Sequence, residues 1–425
     1  MNKHRLFHQF IPKEHRREIE LLLLCARPRL DAAAVQEISF FADKSLDWGY
    51  LVETAFSHKL HLLLYRSLKK ACPKSVPVEY LKKLDRAYVT NSIRSLLFSG
   101  KLLSILKLLE ENSILALPFK GPVLSEMVYG DLALRQFGDL DILVDRQNAL
   151  EAIQIFEDHG FRPEINLNQK QMVAYAAKKN SIGLLSSISG LTVDLHWEMS
   201  GGYTFYPLLL NSMEQNLVHA AIAGQKVRRP CTEDLLVYLC LHGTRDFWKY
   251  MESLSSLAGL IQSTEEMDWM RIEALAKRMR CERILRLGLF LAWDLFNVYL
   301  PEDIVKMVEK DFKLPGLAST VYKNLFKENN GSGESEINSK FSMFHLRARD
   351  RWSEKIRYGK HLIFGATAQE WTHVPVPAKL SFVYNILRPV RLSLAFLKSR
   401  FWAERIQDSE DRRQETGDRI LDTGF

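Results

Sequence analysis

Asp139 and Asp141 stand one residue apart inside the otherwise apolar run from Phe137 to Val144. Side chains alternate faces along a strand, so the two carboxylates project together while Leu140 and Ile142 point the other way. Burying neighbouring like charges without compensation is costly. Divalent cations supply that compensation. Hard ions such as Mg²⁺ take carboxylate oxygens together with substrate phosphates, and a pair of them about 3.5–4 Å apart is a recurrent apparatus of phosphoryl transfer.

A second apolar run, Leu191 to Trp197, sets Asp194 and His196 on one face and Val193, Leu195 and Trp197 on the other. The stretch from Ser181 to Ser187 also reads as a strand, and Ser189-Gly190 between the two reads as a hairpin turn. Asp194 is therefore a candidate third carboxylate. Upstream, a strand-like segment from Ile114 to Phe119 leads into Lys120-Gly121, and Pro122 occupies the first turn of a helix reaching Tyr129. Lys120 and Gly121 then lie at a helix amino terminus, a natural phosphate site.

This order of residues resembles the uncharacterised nucleotidyltransferases of the DNA polymerase β-like superfamily, in which a Lys-Gly precedes an Arg and an Asp-x-Asp strand, followed by a later Asp-x-His strand. Lys120, Gly121, Tyr129, Arg135, Asp139, Asp141, Asp194, His196 and Trp197 carry the likeness. The stretches around Asp47-Trp48, His58 and Asn91 to Arg94 agree with it. So do His242-Gly243, Trp248, Leu257 to Ile261 and Asp268-Trp269, and the likeness runs from Leu46 to Pro301. Two positions depart. Gly121-Pro122 stands where the wider superfamily has Gly-Gly or Gly-Ser closer to the carboxylates, and Ser256 stands where an acidic residue is expected ahead of Leu257-Ala258.

The resemblance implies an α+β fold: a small mixed β-sheet nucleotidyltransferase core flanked by amino- and carboxy-terminal helical regions. It implies NTP as substrate and two Mg²⁺ ions on Asp139, Asp141 and Asp194, with Mn²⁺ able to substitute. Asp194 would be a third ligand or the base that takes the proton of the attacking hydroxyl. Lys120, Gly121 and Arg135 would contact phosphate, the lysine as a point charge and the arginine as a fork-shaped donor. His196 would touch the nucleotide or orient a ligand carboxylate. Tyr129 and Trp197 read as packing residues, while His242 and Trp248 either line the acceptor side of the cleft or pack between helices.

Around this core the periodicity sets an expected organisation. Apolar residues at three- and four-residue spacing make an amino-terminal helical region over 1–110, broken at Pro73 and Pro77 and ending in a long helix from Val78. The core spans 111–203, with a helix from Arg146 to His159 and a turn at Phe161-Arg162-Pro163. A carboxy-terminal helical domain follows over 204–327, then a polar linker at 328–340, a basic helical segment at 341–405 and a disordered tail at 406–425. Within the basic segment, residues 379–402 interleave large apolar groups with arginines around Pro389, which interrupts the pattern. Such a stretch suggests contact with an anionic membrane surface or a partner protein, or a helix pair docked on the protein itself with a basic outer face.

Charge placement narrows the partners. Residues 341–405 hold twelve Lys/Arg against four Asp/Glu, an excess larger than the net +7 of the whole chain. The rest is close to neutral, which disfavours a nucleic-acid groove across the catalytic core. Five scattered cysteines without a Cys-x-x-Cys pair point to a reducing, cytoplasmic compartment rather than to disulfides or thiolate zinc. The charged amino terminus and the short apolar run Leu21 to Ala26 give no membrane span. Walker and dinucleotide-binding glycine patterns are missing.

The expected activity is therefore Mg²⁺-dependent transfer of an NMP from an NTP to a hydroxyl or phosphate of an acceptor (a small molecule, a sugar or a protein) with release of pyrophosphate. The competing expectation is a catalytically quiet nucleotide- or partner-binding accessory protein of a biosynthetic or polysaccharide pathway. Three intact clustered aspartates argue against the quiet reading, because unneeded clustered charge is costly.

Overall fold

The computed structural model describes residues 5–42, 44–188, 190–200, 207–327, 343–367, 370–371, 376–377, 380 and 382–394. The linker expected at 328–340, the tail at 406–425, Ser189 of the expected hairpin and residues 395–402 of the basic stretch lie outside the described residues. The chain divides into two units, Met1–Glu164 with Lys178–Ile356 and Ile165–Ala177 with Arg357–Phe425.

The first unit holds a five-stranded sheet of β1 (Ala116–Pro118), β2 (Asp139–Val144), β3 (Phe161–Pro163), β4 (Ser181–Ser186) and β5 (Thr192–His196) in the order β1-β2-β5-β4-β3. The central pair β2·β5 is parallel and the other three pairings are antiparallel. β2 is open to solvent only at Asp139 and is buried from Leu140 onward, as expected of a central strand covered on both faces. The register sets Asp141 opposite Asp194 and Leu143 opposite His196. A slip of one residue in either strand would turn that strand's aspartate into the apolar layer, so the hydrophobic pattern itself fixes the alignment of the acids.

Helices enclose the sheet. Upstream are α1 (Arg16–Cys25), α2 (Ala32–Ala42), α3 (Trp48–Ser57), α4 (His61–Ala71) and α5 (Val78–Glu111). The run Leu21 to Leu24 of α1 is buried throughout, and Asp47 caps α3 by accepting from the backbone N–H of Tyr50 at 2.9 Å. α5 has 34 residues, a rod of about 50 Å. α6 (Pro122–Tyr129) follows β1, and α7 (Ala149–Asp158) follows a 3₁₀ turn at Arg146–Asn148 that is capped by Asp145. α8 (Gln169–Lys178) precedes β4, and downstream come α9 (Thr232–Arg245), α10 (Met251–Ser263), α11 (Trp269–Met279), α12 (Glu282–Phe296), α13 (Glu302–Glu309) and α14 (Leu314–Leu325). Gly259 lets α10 close on α6, since a Cβ there would come within 2.2 Å of Val128 Cγ1.

The mixed sheet with helices on both sides makes the fold α+β, as the sequence predicts. One local expectation is corrected. Phe161-Arg162-Pro163 does not turn the chain back but forms β3, paired antiparallel with β4. β3 is an edge strand, where a proline without an N–H leaves no ladder bond unmade.

In the second unit, Trp371 packs against Tyr175 of α8 and against Tyr384, with ring centres 5.4 and 4.3 Å apart. Pro389, expected to interrupt this stretch, lies inside a helix over 383–394, where it cannot donate a backbone hydrogen bond. Ile386, Val390, Leu392 and Leu394 are exposed on it, and Phe382 just before it is exposed as well. Among the described residues no helix is long and apolar enough to cross a membrane.

Candidate active site

Because β2 and β5 are adjacent and parallel, carboxylates more than fifty positions apart in the chain become neighbours on one face. One ligand atom from each of Asp141, Asp194 and His196 lies within 4.8 Å of the others. His196 Nε2 is 3.0 Å from Asp194 Oδ2 and 3.5 Å from Asp141 Oδ1. Asp139 shares this face but sits at the exposed start of β2, with Thr192 as its register partner. The closest trio therefore has His196 in the place the sequence suggests for Asp139. Two residues along a strand span about 6.6 Å, so Asp139 stands back from Asp141. The longer side chain of His196 reaches both acids.

Charge balance holds the trio in place. Asp141 is only 6% exposed. Burial would raise its pKa, yet the Lys120 ammonium 3.6 Å away, together with His196 and His242, holds it well below the usual carboxylate range. Burial likewise disfavours charge on Lys120, and Asp141 reverses the effect, so the ammonium is held above its ordinary value. His196 follows the same logic: burial opposes its charge, contacts with Asp141 and Asp194 override it, and its pKa rises to about 9. Asp139, solvent-exposed as a residue but with its carboxyl partly desolvated by the cavity walls, is pushed up by that desolvation and by the neighbouring Asp141. Phe119 of the segment between β1 and α6 lies edge-on to the His196 ring at 5.1 Å and closes the apolar side.

The local conformation at Lys120-Gly121 explains the glycine. Gly121 has φ 55° and ψ −127°, a region closed to side-chain-bearing residues, and directly precedes α6. It is buried behind the cavity wall, near Phe137 and Leu140, and its place in the turn is what lets Lys120 reach Asp141.

The opposite wall comes from α9, α10 and the loop between them. Lys120 Nζ is 3.2 Å from His242 Nε2, and Arg245 donates from Nη2 to His242 Nδ1 at 2.8 Å. Burial and these two cations keep His242 neutral, well below its ordinary pKa. Nε2 also faces Asp246 Oδ2 at 3.4 Å. Arg135 pairs through Nε with Glu252 Oε1 at 2.7 Å, and Ser256 donates to the same oxygen at 2.6 Å. Arg135 Nη1 is buried with no hydrogen-bond partner among the described residues. Glu252, one helical turn before Ser256, thus supplies the carboxylate that holds Arg135 on this wall. Tyr129 shares its hydroxyl with Ser255 at 3.1 Å.

These groups surround a cavity of about 480 Å³. Of the residues singled out in the sequence, Lys120, Arg135, Asp139, Asp141, Asp194, His196, His242 and Ser256 line it. Trp197 is fully buried in packing, donating to Lys179 O at 2.6 Å, and Trp248 is buried at the end of α9. Sequence reasoning missed Tyr238, Arg245, Tyr250 and Glu252, together with Lys59 and Arg94 as cavity residues. The one local signal was the four-residue spacing of Glu252 and Ser256, which puts both on one helix face.

Residues 44–297, more than half of the chain, match the family model of the uncharacterised nucleotidyltransferases. The chain belongs to that family. No curated protein matches it. Membership in this nucleotidyltransferase family supports nucleotidyl transfer as the general activity and NTP as substrate, and the matched span contains β2, β5 and the α9 and α10 wall of the cavity.

Proposed function

We propose that this nucleotidyltransferase is a divalent-metal-dependent enzyme that moves an NMP from an NTP to a hydroxyl or phosphate oxygen of an acceptor and releases pyrophosphate. The observation that carries the reading is the convergence of Asp141, Asp194 and His196 at a cavity whose wall also bears Lys120 and Arg135.

The donor set fits a cation on the protein's own chemistry. Nε2 of His196 lies beside two carboxylates, where a cation would take the place of the proton it shares with them, and its Nδ1 is buried with no hydrogen-bond partner among the described residues. Asp141, Asp194 and His196 would hold the ion, with Asp139 beside them at the strand's start. Bound Mg²⁺ or Mn²⁺ would supply charge neutralisation and orientation at the α-phosphate.

The rest of the work belongs to side chains. Lys120 offers a fixed positive charge next to Asp141, and Arg135 keeps its buried Nη1 donor for a phosphate oxygen while Glu252 holds the guanidinium in place. Asp194, whose side chain is 33% exposed, takes the proton of the acceptor hydroxyl. As the new oxygen–phosphorus bond forms, the bond from the α-phosphorus to the bridging oxygen breaks, and its electron pair leaves with pyrophosphate. Positioning and charge stabilisation, with no covalent enzyme intermediate, suffice for such in-line transfer. Cations and acids balance on the cavity wall, which favours a small molecule, sugar or protein acceptor over a nucleic acid. Five buried cysteines suit a reducing cytoplasm.

The test is incubation with α-labelled NTPs and Mg²⁺ or Mn²⁺, reading pyrophosphate release and transfer of label to the protein or to an acceptor pool. Asp141→Asn should abolish both. Nucleotide binding with no metal-dependent turnover on any pool would favour the quiet binding protein instead.

A further inference from the structure

Three of the cations on the cavity wall are engaged by an acid: Lys120 by Asp141, Arg135 by Glu252 and Arg245 by Asp246. The other two, Lys59 and Arg94, have no acidic partner among the described residues. Each lies against an aromatic ring, Lys59 Nζ 4.1 Å from the centre of Tyr250 and the Arg94 guanidinium 5.1 Å from that of Phe98. A ring face fixes a cation in place without neutralising it, so the charge stays available to an anion.

Both side chains are held by the elements that build the site. Lys59 follows α3 in the left-handed conformation, φ 59°, which is unfavourable for a residue with a side chain. The turn is fixed by Leu60 N donating to Ala55 O at 2.7 Å, and the adjoining His58 carbonyl accepts from the backbone N–H of Glu252 at 3.3 Å. Lys59 is thereby tied to the turn of α10 that holds Arg135. Arg94 projects from α5 towards the start of β2: its Nη2 would be 3.8 Å from a Cβ at Gly138, the residue before Asp139. Phe98 beneath it packs against Phe137, itself a cavity residue, at 5.7 Å.

We infer that Lys59 and Arg94 form an anion subsite that takes a phosphate group of the substrates, beyond the phosphate contacts of Lys120 and Arg135. The identity of that group rests on the transferase reading. The same chemistry comes from two sources: the terminal phosphates of the NTP, or a phosphate carried by the acceptor.

The experiment measures Mn²⁺-supported binding of a non-hydrolysable NTP, of the matching NMP, and of inorganic phosphate to the nucleotide-loaded protein. Wild type is compared with Lys59→Gln and Arg94→Gln. Loss of one charge-assisted contact should weaken the affected probe by about ten-fold or more. Weaker NTP binding with NMP binding intact assigns the subsite to the terminal phosphates. Unchanged NTP binding with weaker inorganic phosphate binding assigns it to the acceptor. In either case Arg94→Lys, which keeps the charge, should restore most of the affinity. Unchanged binding of all three probes overturns the proposal, and so does a parallel loss of NTP and NMP that Arg94→Lys does not repair. If wild type binds no nucleotide with metal, the transferase reading fails separately. The subsite then stands only if free pyrophosphate binds the wild type and is lost in both glutamine variants.

Discussion

Asp141 and Asp194 face each other in register across the parallel β2·β5 pair, with the buried His196 in ion-pair reach of both. The parallel pairing makes the site. An antiparallel partner for β2 could reach Asp141 by a short hairpin, whereas this acid and imidazole arrive only after the chain has built α7, β3, α8 and β4.

The ligand set is the first point to measure. Mn²⁺ titrations followed by electron paramagnetic resonance should show Asp141→Asn and His196→Gln each weakening the ion by at least about 100-fold, more than the loss of an outer orienting group. Asp139→Asn should weaken it by about ten-fold or less, because Asp139 stands outside the closest trio. A silent His196→Gln beside a severe Asp139→Asn would put the ion on the three aspartates instead.

Gly121 and Gly130 bracket α6, both at positive φ. An alanine at either should destabilise the fold by about 1–2 kcal/mol or more in urea unfolding. Only Gly121→Ala should also cut turnover by more than ten-fold on the order expected of a misplaced phosphate ligand, because the neighbouring Lys120 carries the charge beside Asp141. Equal turnover in the two variants would detach the glycine turn from the chemistry.

How far the sequence revealed this site depends on the distance over which each feature is encoded. Asp139, Asp141, Asp194 and His196 were legible because alternation along a strand is local, and the helix after Lys120-Gly121 because Pro122 marks its first turn. The β2·β5 pairing was not, since register between distant strands is chosen by tertiary packing. Glu252 was invisible because its partner Arg135 is 117 positions away and neither residue is unusual alone. Arg162-Pro163 reads as a turn until the strand order shows β3 at an edge that tolerates proline. Lys59 and Arg94 acquire meaning only when α3 and α5 are brought to the cavity and their acids are found missing.

The Arg135–Glu252 pair is nearly buried, at 13% and 8% side-chain exposure. Removing one partner of a buried pair leaves an uncompensated charge and costs about 3–5 kcal/mol. Glu252→Ala should therefore lower unfolding stability by that order, while Glu252→Gln, which can still accept from Arg135 and Ser256, should lose less. A Glu252→Ala protein as stable as wild type would show that Arg135 finds another partner.

His58, His61 and His345 contribute to the response to acid alongside His242, with the raised His196 acting in the opposite sense. Burial holds each of the first three imidazoles at a pKa of about 4, against an ordinary 6.5. Above pH 6.5 both folded and unfolded chains carry them neutral, and they leave stability unchanged. Below it the unfolded chain takes up protons that the folded chain refuses, so stability falls as pH drops from 6.5 towards 4. The loss is about 2 kcal/mol per histidine at roughly pH 5. Urea unfolding at about pH 7.5 and about pH 5 should differ by several kcal/mol, opposite in sign to what a histidine with a raised pKa would give. His61→Phe isolates one share of the effect, since His61 already stacks on Phe56 with ring centres 4.2 Å apart and a phenyl ring can replace it there. That variant should keep its stability at the higher pH and lose less on acidification. A pH dependence unchanged by His61→Phe would mean that this imidazole is protonated in the folded protein and that burial does not control it.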